Sequence, residues 1–402
     1  MSGFAPSVSR GIARVTESAL GPYQSAVIRI GFAATWLLFL LRELPHRQEL
    51  YGPDGPWSWD LAHRLIADNG AFTALMWSDG QVWFETVYAL AVLASVLLLL
   101  GWRTRTTSVL FMVGVLSLQN RSVFMGDGGD NVLHLMSIYL VFTRCGQVWS
   151  LDARRAARAR GERIPDRTGP VLWVLLGAVL VAVTSAGRFD SEWFVPALLW
   201  GVWLAQALWW AVGRYAKSYE PRVLLDVVAN VIHNGALFVV ATEACLIYAT
   251  AGWYKIQGSR WQDGTAVYYP LHLDYFSPWP GLAGVLSSSG TMVMLVTYGT
   301  VIVQVAFPFT LFNRRVKNVL LALMMTEHAV IAVLLGLPFF SLAMIATDAV
   351  FLPTSFLLPL GGRAARARGR WFARGDRTVP DEDLEEPRSP ENPEHSHVGF
   401  TA

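Results

Sequence analysis

Long apolar stretches recur along the chain, with short polar connections between them. An α-helix needs about 20 largely apolar residues to cross a bilayer, and the stretches approach that length at residues 23–42, 83–101, 105–120, 130–146, 170–186, 193–213, 223–252, 289–312, 316–336 and 338–356. The pattern predicts an all-α fold, a polytopic integral membrane bundle of about ten transmembrane helices. Because the third and fourth stretches are short and only a turn at Gly336, Leu337 and Pro338 divides the last two, nine spans fit as well as ten.

Composition excludes a soluble domain. Hydrophobic residues make up 53% of the chain and charged residues only 15%, against about a quarter in soluble domains. The 17 tryptophans suit a membrane protein, since indole rings collect at the membrane interfaces. The two cysteines, Cys145 and Cys245, have no CxxC spacing and are interpreted as core thiols. No metal site is expected.

The basic residues predict the orientation. Short cytoplasmic loops of membrane proteins are rich in Lys and Arg, and one alternation of the spans places every strongly basic loop on the same side. These loops are 152–167, 214–222, 313–317 and 361–370. Both termini are then cytoplasmic, and the chain is expected in the cell membrane as a multi-pass protein. The first helix should be retained, because the N-terminus lacks the pattern of a cleaved signal peptide.

Three regions follow from this pattern: a cytoplasmic segment at 1–20, a transmembrane domain at 21–356 and a disordered tail at 357–402. The tail turns from basic to acidic and has few apolar residues. Its basic block suits anionic lipid headgroups, and no nucleic-acid motif accompanies it. On the outer side, 43–82 is predicted to hold an interfacial amphipathic helix and to form a cap together with 256–288.

Ionisable residues inside spans are costly and therefore mark candidate sites. Arg29 in the first span and Glu243 in the seventh are predicted to form a structural polar pair. His233, at the cytoplasmic end of the seventh span, is more typical of a histidine that hydrogen-bonds between helices than of a ligand.

A second group belongs to the outer half of the membrane. Asp130 and His134 share a helix face, Tyr248 lies two turns before Lys255, and His328 is in the outer half of the ninth span. These residues are predicted to converge on an outward-facing pocket. Two simpler interpretations stay open: Lys255 is an interface anchor flanked by aromatic residues, and the GDGGDN stretch is a turn whose Asp130 or Asn131 caps the fourth span.

Four segments together resemble a known family: AGWYKIQGSRWQDGTAVYY at 251–269, GQVWSLDARR at 146–155, QNRSVFMGDGGDNVLHL at 119–135 and EHAVIAVLLGLPFFSLAMIATDAVFLP at 327–353. The family is the horizontally transferred transmembrane (HTTM) domain, which includes the membrane part of vitamin K-dependent gamma-carboxylase. The resemblance covers about residues 20–355. Its most specific element is the run from Ala251 and Gly252 through Lys255 and Trp261 to Gly264 and Tyr268.

The resemblance implies a function. In the carboxylase a lysine of the corresponding run deprotonates reduced vitamin K, and that lysine maps onto Lys255. The implied cofactor is a reduced, vitamin K-like quinone. Asp130 and His134 are then assigned catalytic support. Trp261, His328 and Asn131 are then assigned to substrate binding, together with Tyr248, which helix periodicity places on the face of Lys255.

The chain also departs from the family. Tyr254 and Lys255 stand where the carboxylase has a lysine pair, and no counterpart of the carboxylase's large domain outside the membrane is expected. A protein glutamate substrate is therefore not implied. The alternative is a noncatalytic membrane protein that has a secreted or membrane protein as its partner. It would export this partner, help it mature, or give the cell immunity to it. Membrane lipids are partners under either hypothesis.

Overall fold

The backbone is helical in nearly every segment that the structure describes. This computed structural model describes residues 4–122, 124–159, 167–189 and 193–375, and within them it contains helices and turns but no β-strand. The α-helices are α1 (Phe4–Glu17), α2 (Pro22–Glu43), α3 (Arg47–Tyr51), α4 (Trp59–Asn69), α5 (Gln81–Leu100), α6 (Thr104–Arg121), α7 (Gly128–Val141), α8 (Leu151–Arg158), α9 (Thr168–Ser185), α10 (Phe194–Tyr215), α11 (Glu220–Gln257), α12 (Ser259–Gln262), α13 (Pro280–Ser287), α14 (Gly290–Ala306), α15 (Arg314–Leu334), α16 (Pro338–Asp348) and α17 (Thr354–Gly375).

Seven of the described helices are long and apolar enough to cross a membrane: α2 with its continuation to Tyr51, α5, α9, α10, α11, α14 and α15. The eighth candidate is a bent pair made of α16 and the start of α17. The predicted all-α, multi-pass membrane protein is thus confirmed at this level. The predicted count of about ten included α6 and α7. Both are helical, but neither is long and apolar enough to count as a membrane span. α7 has 14 residues and is therefore only about 21 Å long, against a hydrocarbon layer of about 30 Å.

The core is built around α2. This helix packs against α5 and α16, and its side chains Phe32, Trp36 and Leu40 are fully buried. A Cβ atom placed on Gly31 would lie 2.5 Å from the Cβ of Ala346 in α16. Small residues at such crossings allow two membrane helices to approach closely. By contrast, α9 and α10 are largely exposed, as expected of helices that face lipid.

The predicted outer segments fold into short helices. Residues 43–82 contain α3 and α4, and the guanidinium of Arg121 holds the loop between these helices by donating to the carbonyls of Gly52 and Trp57 (both 2.9 Å). Residues 256–288 contain α12, α13 and three short 3₁₀ turns. At the other end of the chain, α17 covers 354–375, which corrects the predicted disorder for its residues after 357. Ala and Arg favour helix there, and residues 376–402 of the predicted tail lie outside the described part.

Polar residues of α11 hold the end of α1. The Nδ1 atom of His233 accepts a hydrogen bond from the backbone N–H of Arg144 (2.8 Å), so its Nε2–H donates to the carbonyl of Leu20 (2.8 Å). Asn234 accepts from the backbone N–H of Leu20 and donates to the carbonyls of Val15 and Ser18. These carbonyls lie at and beyond the last turn of α1, where helices leave such groups without intrahelical donors. His233 is thus a hydrogen-bonding residue between segments, in agreement with its predicted role.

Replacing Asn234 with Leu should release α1 from α11. Three hydrogen bonds are lost, each worth about 1 kcal/mol, so the amides of residues 4–20 should exchange with solvent at least tenfold faster. Hydrogen–deuterium exchange of the protein in nanodiscs measures this. Val231→Ala, a change at an exposed position of the same helix, is the control. Equal exchange in both variants would mean that Asn234 does not hold α1.

Candidate functional site

Six polar side chains from four helices lie together inside the helical bundle. We call them the polar cluster: Tyr248 and Lys255 of α11, Gln304 of α14, Glu327 and His328 of α15, and Asp348 of α16. Two hydrogen-bonded chains make up the cluster, and each joins side chains of at least three helices.

The first chain starts at Lys255. Its Nζ atom donates to Oε1 of Gln304 (2.6 Å), and Nε2 of Gln304 donates to Oε1 of Glu327 (2.8 Å). Gln304 is only 5% exposed, so the amide connects an amine and a carboxyl group across the interior. The Nζ atom also lies 5.3 Å from the centre of the Trp261 ring, within the range of a cation–π contact. Lys255 therefore turns into the bundle.

The second chain joins Tyr248, His328 and Asp348, whose side chains are all at most 3% exposed. The hydroxyl of Tyr248 donates to Oδ2 of Asp348 (2.9 Å) and lies 3.1 Å from Nε2 of His328. Because its proton is directed to the carboxylate, the hydroxyl accepts from Nε2–H. The Nδ1 atom of His328 and Oδ1 of Asp348 are buried without a hydrogen-bond partner. Such atoms are rare, and these two leave hydrogen-bonding capacity for another group.

The sequence of α11 explains why both chains start from one face. Tyr248 and Lys255 are two helical turns apart, and Gly252 lies between them on the same face. A Cβ atom at Gly252 would lie 2.5 Å from Cγ2 of Val305 in α14. Glycine at this position allows α11 and α14 to approach, which brings Lys255 within reach of Gln304.

Asp130, Asn131 and His134 are not part of the polar cluster, contrary to the prediction. Asp130 belongs to the N-terminal capping box of α7: its Oδ2 accepts from the backbone N–H of Asp127, and Oδ1 of Asp127 accepts from the backbone N–H of Asp130. Asn131 is exposed and His134 is half-buried. No described hydrogen bond joins either residue to the cluster.

The packing of α7 explains this correction. The first turn of α7 packs on α16 at Phe340, since a Cβ atom on Gly129 would lie 2.5 Å from the Cα atom of that residue. The ring of Phe340 also contacts His328, with 5.4 Å between the ring centres. An aromatic ring thus lies where the predicted pocket required a polar contact between α7 and the cluster. The simpler interpretation placed the cap at Asp130 or Asn131, but the N-cap is Asp127, and Asp130 completes the capping box from the third position of the helix.

The predicted pair of Arg29 and Glu243 is also corrected. Arg29 is fully buried and donates to backbone carbonyls, those of Leu98, Leu99, Cys145 and Trp149. It makes no ion pair with Glu243 among the described residues. The prediction assumed a side-chain partner, whereas carbonyls near the end of α5 supply acceptors without any charged residue. Cys145 and Cys245 are free thiols, the first buried and the second half-buried.

Three members of the cluster, Gln304, Glu327 and Asp348, are not among the predicted site residues. Asp348 is a single acidic residue in the apolar run SLAMIATDAVF, and Gln304 is a single amide in VIVQVAF. The principle that polar residues inside spans mark sites applies to both, so the signal was present. Within the described residues, no group of three or more His, Cys, Asp or Glu side chains could hold a metal ion.

Comparison of the chain with models of protein families, with curated proteins and with solved structures finds no match.

Proposed function

We propose that the polar cluster is an acid–base site within the membrane that acts on a lipophilic quinol, with Lys255 as the base. The observation that carries the proposal is the inward direction of Lys255, which hydrogen-bonds to Gln304 and through it connects to Glu327. An interface anchor extends its ammonium group toward the lipid headgroups, whereas this amine lies among the side chains of other helices. The resemblance to the HTTM domain supplies the substrate class and the carboxylase-like character of the chemistry.

The reaction uses Lys255 as a neutral amine, so the ammonium that is paired with Glu327 through Gln304 first gives up its proton to solvent. The amine takes a proton from a quinol hydroxyl, and Glu327 balances the resulting ammonium through Gln304. Dioxygen is the co-reactant that accepts two electrons and two protons when the quinol becomes a quinone, which forms hydrogen peroxide. The unpartnered Nδ1 of His328 and Oδ1 of Asp348 provide hydrogen-bonding capacity beside this reaction.

The test is oxygen uptake by the protein in lipid nanodiscs supplied with a reduced naphthoquinone, after subtraction of the uptake by empty nanodiscs. Lys255→Met and Lys255→Arg should both lower the rate by about 100-fold or more, since a positioned base contributes about 10²–10⁴-fold and arginine stays protonated. Lys217→Met, at an exposed loop position, should keep the wild-type rate. His134→Ala should keep it too, because His134 lies outside the polar cluster.

Two results would overturn the proposal: no quinol-dependent uptake by the wild type, or equal uptake by the wild type and Lys255→Met. Either one favours the noncatalytic alternative, in which the chain exports a protein partner, helps it mature, or gives immunity to it.

A further inference from the structure

We infer that the chain binds one acyl chain of an anionic phospholipid in an apolar cavity between α5, α6, α9 and α10. This cavity shares no residue with the polar cluster and has a volume of about 260 Å³. Its wall includes Leu90 and Ala94 of α5, Val113 of α6, Leu176 and Val179 of α9, and Trp203 of α10. The inference does not depend on the proposed quinol chemistry.

The cavity offers almost nothing to water. Three of the four indole N–H groups among its lining side chains already have acceptors: Trp83 donates to the carbonyl of Ala74 (2.8 Å), while Trp173 and Trp203 donate to each other's carbonyl (both 3.0 Å). Apart from indoles, only Thr106 and Gln206 line it with polar side chains. An ordered water needs two to four polar partners, so most of the cavity suits hydrocarbon.

The shape of the cavity matches a chain better than a compact molecule. Its lining follows α5 from Trp83 to Leu97, which is 15 residues or about 21 Å of helix. That exceeds half of the hydrocarbon layer of about 30 Å. Leu90 and Val179 line the cavity and are more than half exposed (56% and 57%). Because both belong to membrane-spanning helices, a lipid chain can enter sideways from the bilayer.

Charge at one end identifies the headgroup. Thr106 and Gln206 line the end of the cavity that lies near the start of α6 and the last turns of α10. Next to Thr106, the exposed side chain of Arg105 has its guanidinium carbon 4.5 Å from the ring centre of Trp209. A guanidinium one residue from the polar end of an apolar cavity suits a phosphate, because it presents several N–H donors in one plane. A phospholipid joins these two features, with its chain inside and its phosphate at Arg105.

Native mass spectrometry of the protein, released from detergent and titrated with phosphatidylglycerol or phosphatidylcholine, tests the inference. The wild type should bind one phosphatidylglycerol more tightly than any further lipid. Leu176→Trp and Val113→Trp fill the cavity and should each weaken this first binding at least tenfold. Leu175→Trp is the matched control, since Leu175 is 58% exposed on the same helix but does not line the cavity. Arg105→Gln should weaken the binding of both lipids and reduce the preference for phosphatidylglycerol at least fivefold, because the choline cation of phosphatidylcholine already offsets the charge of its phosphate.

Gel filtration and Trp fluorescence melting show whether each variant is folded, and the two filling variants are independent of each other. Equal lipid binding by wild type, Leu176→Trp and Val113→Trp would overturn the inference. An isoprenoid quinone that copurifies in the cavity and is displaced by both filling variants would overturn the assignment to a phospholipid. The absence of any lipid that binds more tightly than the rest would also contradict it.

Discussion

Replacing Arg29 with Met is expected to lower the free energy of unfolding by at least about 3 kcal/mol, because buried carbonyl groups then lose their donors. The guanidinium donates to the carbonyls of Leu98 (2.5 Å), Leu99 (2.8 Å), Trp149 (2.8 Å) and Cys145 (3.2 Å). Arg29 is 0% exposed, so water cannot easily replace these hydrogen bonds.

The position of Arg29 makes the loss more severe. Its acceptors lie near the end of α5 and in the segment between α7 and α8, so a single side chain joins three parts of the fold. Gly101 closes α5 with φ of 70°, and a Cβ atom there would lie 2.9 Å from Nη1 of Arg29 and 2.4 Å from Cβ of Ser150. The backbone thus approaches the guanidinium as closely as glycine allows. Neither methionine nor lysine can supply the same set of donors in this space.

Thermal unfolding in nanodiscs, followed by the fluorescence of the 17 tryptophans, measures the effect. Arg29→Lys should be less damaging than Arg29→Met, because an ammonium keeps up to three donors. Arg260→Met is the control: Arg260 and Asp263 are 61% and 43% exposed and lie 3.5 Å apart, and exposed ion pairs contribute about 0–1 kcal/mol. Similar melting temperatures for Arg29→Met and Arg260→Met would contradict the proposed role of the buried guanidinium.

The sequence predicts the helices well because apolar length is a local property. Every predicted span overlaps a helix of the structure, and the disagreements concern segments of marginal length, such as α6 and α7. The α1 helix was not predicted, since much of what holds it comes from α11: Asn234 and His233 are more than 200 positions away from Leu20. Local patterns contain no information about such distant contacts.

The candidate site could be predicted only in part. The spacing of Tyr248 and Lys255 places both on one helix face, and both do point toward polar side chains of other helices. Which polar side chains they meet depends on how α14, α15 and α16 pack, and this is decided by small contacts such as Gly252 against Val305. Arg29 shows the same limit, because backbone carbonyls are present at every position and leave no trace in the sequence.

Glu327→Gln is expected to lower the free energy of unfolding by about 2 kcal/mol, and Lys255→Met by a similar amount. The double variant should lose at least about 1 kcal/mol less than the sum of these two losses. The reason is that Gln304 connects the two groups (2.6 and 2.8 Å). Removing one partner leaves the other without its opposite charge in a low-dielectric interior, whereas removing both leaves no uncompensated charge. This coupling is independent of any catalytic activity.

The free energies of unfolding of the wild type, the two single variants and the double variant in one lipid composition give the coupling energy directly. Arg47 and Glu85 provide a matched pair for comparison, with their atoms 2.9 Å apart and side chains 28% and 37% exposed; their coupling should be at most about 1 kcal/mol. A coupling near zero between Lys255 and Glu327 would mean that the ammonium group finds its stabilisation at the lipid headgroups, and that Lys255 is an anchor. A coupling above that of the surface pair would instead assign Lys255 to the interior, where a base must lie to reach a substrate inside the membrane.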